Sequence, residues 1–114
     1  MEETIIAYIG TDEVTAQEIS KKGVRSSNFG IFGRGNYVTT SKINAECLGR
    51  TIVKVQITPG RVLTNPAPEE WENWNEKGYD SVHMEGTETN PNREQHCIYD
   101  SSRVQFIEII YKKN

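Results

Sequence analysis

The sequence predicts an α+β domain in which two small antiparallel sheets pack face to face beside two or three short helices. About six segments of the 114-residue chain have the β-branched or alternating composition of strands. Helical patterns occur early and strands late, and no strand–helix–strand repeat is visible. The length suits a single domain, residues 1–114, with one modest core.

In the first half of the chain, strand patterns and helix patterns alternate, and glycines mark the ends of several of them. The run Thr4–Ile9 is rich in β-forming residues and ends at Gly10, which predicts a strand. The next helix is capped by Thr11 or Asp12 and ends at Gly23. After a glycine-rich loop, the pattern predicts a helix over Lys42–Leu48 that begins at Ser41 and a half-buried strand over Thr51–Ile57.

The second half of the chain contains mainly strands separated by turns. Segment 69–77 predicts a small helix or irregular turn, in which Trp71 and Trp74 share one face. Packing in the core or as a lid is the favoured role of this pair. Segment 85–93 reads as a polar loop of low order. Strands are predicted over Arg61–Leu63, Tyr79–Met84, His96–Tyr99 and Val104–Ile110.

Composition excludes several classes of protein. The chain is 35% hydrophobic and 25% charged with a net charge of −3, as in globular domains, and it has no basic stripe for nucleic acid. No apolar run approaches the ~20 residues of a membrane helix. Cys47 and Cys97 are distant and no signal peptide is visible, so free thiols in the cytoplasm or nucleus are expected. The few cysteines and histidines predict no metal site.

The most distinctive segment is the run from Asn28 to Val38. Gly30, Gly33 and Gly35 fall within six positions, and Tyr37 follows them. Glycine allows backbone to approach a ligand closely, so the run is a candidate lip for a flat or phosphorylated ligand. The segment is neither a Walker loop nor a Rossmann fingerprint. An ordinary glycine-rich turn is the alternative.

Four blocks, spread in order over nearly the whole chain, carry a resemblance to one family. They are Ala7-Tyr8-Ile9-Gly10-Thr11, Gly30-Ile31-Phe32-Gly33-Arg34-Gly35-Asn36-Tyr37-Val38, Gly78-Tyr79-Asp80-Ser81-Val82 and Gln95-His96-Cys97-Ile98-Tyr99-Asp100-Ser101-Ser102-Arg103-Val104. Together they resemble the ADP-ribosyltransferase catalytic fold of the poly(ADP-ribose) polymerase and diphtheria-toxin type, in a short stand-alone form. The resemblance implies a split β-sandwich that binds NAD in a cleft.

The resemblance also implies a set of site residues. The main chain of Gly10 would hold the nicotinamide amide, the Tyr37 ring would lie against the nicotinamide ring, and Thr11 would hydrogen-bond nearby. An aromatic face prefers a pyridinium cation to a neutral ring. A core position for Tyr37 and a capping role for Thr11 are the alternatives. The residues expected to contact NAD are Tyr8, Ile9, Gly10, Thr11, Gly30, Phe32, Gly33, Arg34, Gly35, Tyr37 and Ser41.

The chain departs from the family at three positions. Ile9 stands where the family has histidine, and Gln95 stands where it has the catalytic glutamate. Leu48 occupies the place of a second stacking aromatic residue. Loss of one such preorganised charge costs on the order of 10²–10³ in rate. Glu94 is adjacent to Gln95, but neighbours on a strand face opposite sides, so it would serve only from an irregular turn or a shifted register.

Three functions follow from these observations. The first is a monomeric enzyme that uses NAD, with Tyr37, Gln95 and Glu94 as catalytic residues. It would be a mono-ADP-ribosyltransferase with a protein or nucleic acid as acceptor, or an NAD glycohydrolase. The second is an inactive module of the same fold that binds a nucleotide or a protein. The third is an interaction module whose surface is the tryptophan pair and the loop 85–93, since tryptophan is enriched at binding hot spots.

Overall fold

The computed structural model describes residues 3–27 and 30–111. Within these residues the chain forms seven strands and two α-helices. In chain order the elements are β1 (Ile5–Thr11), α1 (Glu13–Lys22), β2 (Asn36–Val38), α2 (Lys42–Leu48), β3 (Thr51–Ile57), β4 (Val62–Thr64), β5 (Ser81–Met84), β6 (Gln95–Ile98) and β7 (Val104–Tyr111). Short 3₁₀ turns lie at Pro68–Glu70, Pro91–Arg93 and Ser101–Arg103.

The strands form two sheets, which confirms the α+β prediction in outline. The three-stranded sheet has the order β1-β3-β7, and β3 is antiparallel to both neighbours. The four-stranded sheet has the order β2-β6-β5-β4. A two-residue bridge between Tyr8 of β1 and Thr39, just after β2, links the edges of the two sheets.

The prediction that both sheets are purely antiparallel was wrong for one pair. Strand β4 runs parallel to β5, with Val62 opposite Ser81. Residues 65–80 connect these strands, and a connection of this length can cross over, whereas a short turn would force an antiparallel hairpin. Within this connection, Trp71 and Trp74 lie in the bend and turn that follow the 3₁₀ turn Pro68–Glu70.

Both helices begin and end at residues that the sequence signals. Asp12 caps α1, because its Oδ1 accepts a 2.7 Å hydrogen bond from the main-chain N–H of Thr15. Gly23 ends the helix with φ of 83°. Ser41 caps α2 through the N–H of Asn44 at 3.2 Å. Thr11, the alternative cap for α1, is instead the last residue of β1.

The core consists of two apolar clusters. The larger cluster joins Val53 and Val55 of the first sheet to Val38 and Ile98 of the second, and Ile19 of α1 packs against it. The smaller cluster forms on the other face of the second sheet, where Phe32 and Trp74 cover Val82, Met84 and Cys97. Each face of the four-stranded sheet is therefore partly buried. No helix formed by the described residues is long and apolar enough to cross a membrane.

Candidate functional site

A cavity of about 190 Å³ brings together residues that are far apart in the sequence. It lies where β1, β2, α2 and the start of β6 meet. Its lining residues are Tyr8, Ile9, Gly10, Tyr37, Val38, Thr39, Asn44, Leu48, Asn92, Glu94 and Gln95. Three of the four blocks that carry the resemblance thus contribute to one concave site. The fourth block, Gly78–Val82, leads into the strand β5, which pairs with β6, and contributes its first two residues.

Strand register places Tyr37 and Gln95 on the same face of the second sheet. Tyr37 of β2 lies opposite Cys97 of β6, and Gln95 lies two residues before Cys97. Side chains two residues apart on a strand share a face. Cys97 therefore faces the same side as Gln95, and it is fully buried.

The main chain of Gly10 lies on the free edge of β1. The N–H and C=O of Tyr8 both bond to Thr39, at 2.7 and 2.9 Å, on the side away from β3. The backbone groups of alternate residues point to the same edge of a strand, so those of Gly10 point to this side as well. A Cβ atom at Gly10 would overlap the carbonyl oxygen of Ala45, so glycine is also needed here for the close approach of α2.

The glycine-rich run holds the ring of Tyr37 in place. The Tyr37 hydroxyl donates a 2.6 Å hydrogen bond to the carbonyl of Gly33 and accepts one of 3.1 Å from the N–H of Phe32. A Cβ atom at Gly30 would overlap the phenol ring. Burial raises the pKa of Tyr37 above its usual value, and the neighbouring Cys97 adds to the shift. The phenol is therefore a neutral ring at pH 7. Asn28 and Phe29, which begin the run, lie outside the described residues.

A second cavity of about 330 Å³ adjoins the first, and Ile9 and Tyr37 line both. It runs between α1 and the segment Gly35–Tyr37. Two cationic side chains, Lys22 and Arg25, are among its lining residues. We refer to the two cavities, which share Ile9 and Tyr37, as the cleft; the smaller cavity borders α2, and the larger one, which Glu18 also lines, borders α1.

The other predicted contact residues lie outside these two cavities. Thr11 lines a separate cavity with Gly10 and Leu48. Phe32 is buried beneath the two tryptophans, and Gly33 and Arg34 line a surface recess beside them. Arg34 lies over the ring of Tyr99, and Ser41 caps α2 as described above.

Glu94 lies on the side of β6 opposite to Gln95, as the alternation of the strand predicts. Its Oε1 accepts hydrogen bonds from Thr39 Oγ1 at 2.7 Å, from the Thr40 N–H at 2.7 Å and from Thr40 Oγ1 at 3.0 Å. Burial raises the pKa of Glu94, but these hydrogen bonds and the nearby imidazole of His96 outweigh burial and leave the pKa below its ordinary value. Glu94 is therefore a fixed carboxylate at pH 7.

His83 and His96 form a cluster with Glu94 that sequence reasoning missed. The two imidazole rings stack with centroids 3.9 Å apart and planes at 4°. The Nε2 atoms of His83 and His96 lie 3.4 and 3.9 Å from Oε2 of Glu94. Burial lowers the pKa of His96 to about 4, and the neighbouring His83 adds to this effect against the opposing charge of Glu94. The sequence held one signal for this cluster: Glu94 and His96 are two residues apart, which places them on one face of a strand. It did not show that the strand containing His83 pairs with that strand.

In comparisons with known proteins, no family model matches the chain, and no curated protein matches it significantly.

Proposed function

We propose that the cleft binds NAD and that the chain is a mono-ADP-ribosyltransferase with a weakened Ile9-Tyr37-Gln95 triad. One observation carries this proposal: Ile9, Gly10, Tyr37, Leu48 and Gln95 line a single cavity. These are the positions at which the resemblance expects nicotinamide and ribose contacts. They come from β1, β2, α2 and β6, so their convergence is not a consequence of sequence proximity.

The chemistry of the cavity suits nicotinamide. The main-chain N–H and C=O of Gly10 offer a donor and an acceptor at one strand edge, which matches the two functions of a primary carboxamide. The half-buried Tyr37 ring offers an aromatic face whose attraction is greater for the pyridinium of NAD than for released nicotinamide. In this arrangement Tyr37 binds and orients the ring, and its hydroxyl is already engaged by Gly33.

The adjoining cavity suits the remainder of the dinucleotide. Among the described residues that line it, Lys22 and Arg25, against the single carboxylate of Glu18, leave a net positive charge where a diphosphate would extend from the nicotinamide end. Ile19 and Val24 supply apolar surface beside them. The cleft therefore provides contacts for both halves of NAD along one path.

The side chain of Gln95 determines how fast we expect ADP-ribose transfer to be. Its amide can hydrogen-bond a ribose hydroxyl, but it cannot stabilise the positive charge that grows on the sugar as nicotinamide leaves. Ile9 contributes no hydrogen bond at all. Glu94 also lines the cavity, but its Oε1 is bound by Thr39 and Thr40. Its Oε2 is directed toward His83 and His96, so it does not replace the missing charge in this arrangement. We therefore expect binding with slow transfer of ADP-ribose to a protein or nucleic-acid acceptor.

The experiment combines NAD calorimetry with an assay of nicotinamide release. The wild-type chain is compared with Gln95→Glu and with Gln105→Glu, which makes the same chemical change at an exposed position on β7. We expect all three to bind NAD, and release by Gln95→Glu to rise on the order of 10²-fold or more over the other two. Absence of NAD binding by the wild-type chain would refute the proposal.

A nucleotide-binding module without catalysis is the second candidate. The observation that favours it is that two of the cavity's positions hold Ile9 and Gln95, neither of which carries charge. Binding of NAD by all three proteins, with no release even by Gln95→Glu, would select this function.

A further inference from the structure

We propose that His83, Glu94 and His96 form a binding site for a divalent transition-metal ion of the zinc class, on the side of β6 opposite to Gln95. This inference does not rest on the proposed NAD site, although Glu94 also lines the smaller cavity. Two imidazoles and one carboxylate are a ligand set that holds zinc while leaving a coordination position open. One ligand atom from each of the three residues lies within 4.8 Å of the others.

The two distances from Glu94 to the imidazoles are close to those of an assembled site. Ligands at 2.0–2.1 Å in a tetrahedral arrangement are separated from one another by about 3.3 Å. The Nε2 of His83 lies 3.4 Å from Oε2 of Glu94, and the Nε2 of His96 lies 3.9 Å from the same oxygen. Because the two rings are stacked 3.9 Å apart and parallel within 4°, binding requires their planes to tilt until both Nε2 lone pairs point at one ion. His83, whose side chain is a quarter exposed, is the ring with room to tilt.

The polar atoms of the cluster lack other partners. Within residues 3–27 and 30–111, Nε2 of His83, Oε2 of Glu94 and Nδ1 of His96 are buried without a hydrogen bond. Buried polar atoms are paired in the great majority of folded proteins, so three unpaired atoms in one cluster require an explanation. An ion bound between the carboxylate and the imidazoles satisfies two of them directly.

Glu94 is already oriented as a ligand. Its Oε1 is bound by Thr39 and Thr40, which directs Oε2 toward both histidines. Hydrogen bonds of this kind to a coordinating group fix its position and tune its affinity. Thr39 and Thr40 therefore act as positioning residues for the carboxylate.

The site opens to a cavity of about 640 Å³ lined by His83 and His96. Among the described residues that line this cavity are Glu3 and Thr40, and none is lysine or arginine. The local charge therefore favours a cation over an anion. Water or a small ligand reaches the open coordination position from this side.

Titration of the metal-free 114-residue chain with Zn²⁺ and with Co²⁺ tests the site. The variants are His83→Phe, which keeps an aromatic ring beside His96 but lacks a ligand, and Glu94→Gln. The control is Glu108→Gln, which changes an exposed carboxylate on β7. Co²⁺ provides a readout of ligand geometry through its visible absorption bands, which does not depend on any activity.

We expect the wild type and Glu108→Gln to bind one equivalent of Zn²⁺ and to give the visible spectrum of Co²⁺ with nitrogen and oxygen ligands. Because changes to outer-shell partners alone cost about 10–100-fold in affinity, loss of a direct ligand in either variant should cost at least tenfold. Thermal unfolding without metal establishes that each variant is folded. Absence of binding by the wild type, or equal affinity in the wild type and a folded His83→Phe, would overturn the proposal.

Discussion

The indole N–H of Trp74 donates a 2.9 Å hydrogen bond to the main-chain carbonyl of Phe32. The bond joins the connection between β4 and β5 to the glycine-rich loop 42 residues earlier in the chain. Trp74 is only 2% exposed and meets the ring of Tyr99 edge to face. The segment that contains the tryptophans thus covers the loop that holds Tyr37. An interaction surface built on the tryptophan pair would need both rings exposed, so the burial of Trp74 argues against the interaction-module function.

We predict that Trp74→Ala lowers the free energy of unfolding by about 3–5 kcal/mol, the usual cost of removing a buried tryptophan. Trp71→Ala should cost less, because Trp71 is only partly buried, although its ring also contacts Phe32. Urea denaturation of the two variants beside the wild type measures both values. Equal losses in the two variants would contradict the argument that the deeper burial of Trp74 makes it the more important residue of the smaller cluster.

Gly35 and Cys97 should be coupled in stability. A Cβ atom at Gly35 would overlap the Sγ atom of Cys97. Gly35→Ala should therefore cost about 1–3 kcal/mol through overpacking. In the double variant Gly35→Ala/Cys97→Ala the clash is absent, so the combined loss should be smaller than the sum of the two single losses. A double-mutant cycle by urea unfolding measures the coupling, and strict additivity would contradict it.

The two thiols should differ in reactivity. Cys47 is exposed, whereas Cys97 is fully buried, and burial raises the pKa of Cys97 to about 11 despite the opposing hydrogen bond with Tyr37. A thiol reagent at pH 8 should label one cysteine in the native chain and two in denaturant, because the thiolate is the reactive form. Cys47→Ser should abolish native labelling. Native labelling of Cys97 at the rate seen in denaturant would contradict this placement.

The raised pKa of Cys97 also gives a pH dependence. The native state holds the thiol proton more tightly than the unfolded chain does. The resulting stability is complete below the ordinary pKa of 9.0 and is lost as the pH rises toward about 11. Cys97→Ala should therefore lose less stability than the wild type between pH 8 and pH 10.5 in urea unfolding.

Leu48→Tyr should strengthen NAD binding if the cleft is the NAD site. Leu48 is 72% exposed and lines the smaller cavity, so a tyrosine there can reach a nicotinamide ring opposite Tyr37. An exposed cation–π contact of about 0.5–1 kcal/mol corresponds to about a two- to fivefold gain in affinity. Calorimetry measures the gain. Ile43→Tyr is the control, since Ile43 is 70% exposed on the same helix but does not line the cavity. Equal affinities in the two variants would contradict the prediction.

Local chemistry made the helices and most strands predictable. Ser41 and the bounds of α2, Thr51–Ile57 as β3 and Asp12 as the cap of α1 all agree with the sequence-based expectations. Side-chain capping and alternation act within a few residues, so the sequence alone reports them. The strand β1 extends beyond its predicted end through Gly10 and Thr11, because pairing with β3 continues to Thr51.

The arrangement of the candidate site was likewise predictable only in part. The sequence by itself determined which residues belong to the resembling blocks, and it determined that Glu94 and Gln95 face opposite sides of a strand, since that alternation is a local property. Only the tertiary structure decided that Ile9, Tyr37 and Gln95 line one cavity and that His83 stacks on His96. Those relationships depend on which strands pair and in what register, and pairing is set by burial of the whole core rather than by any short segment.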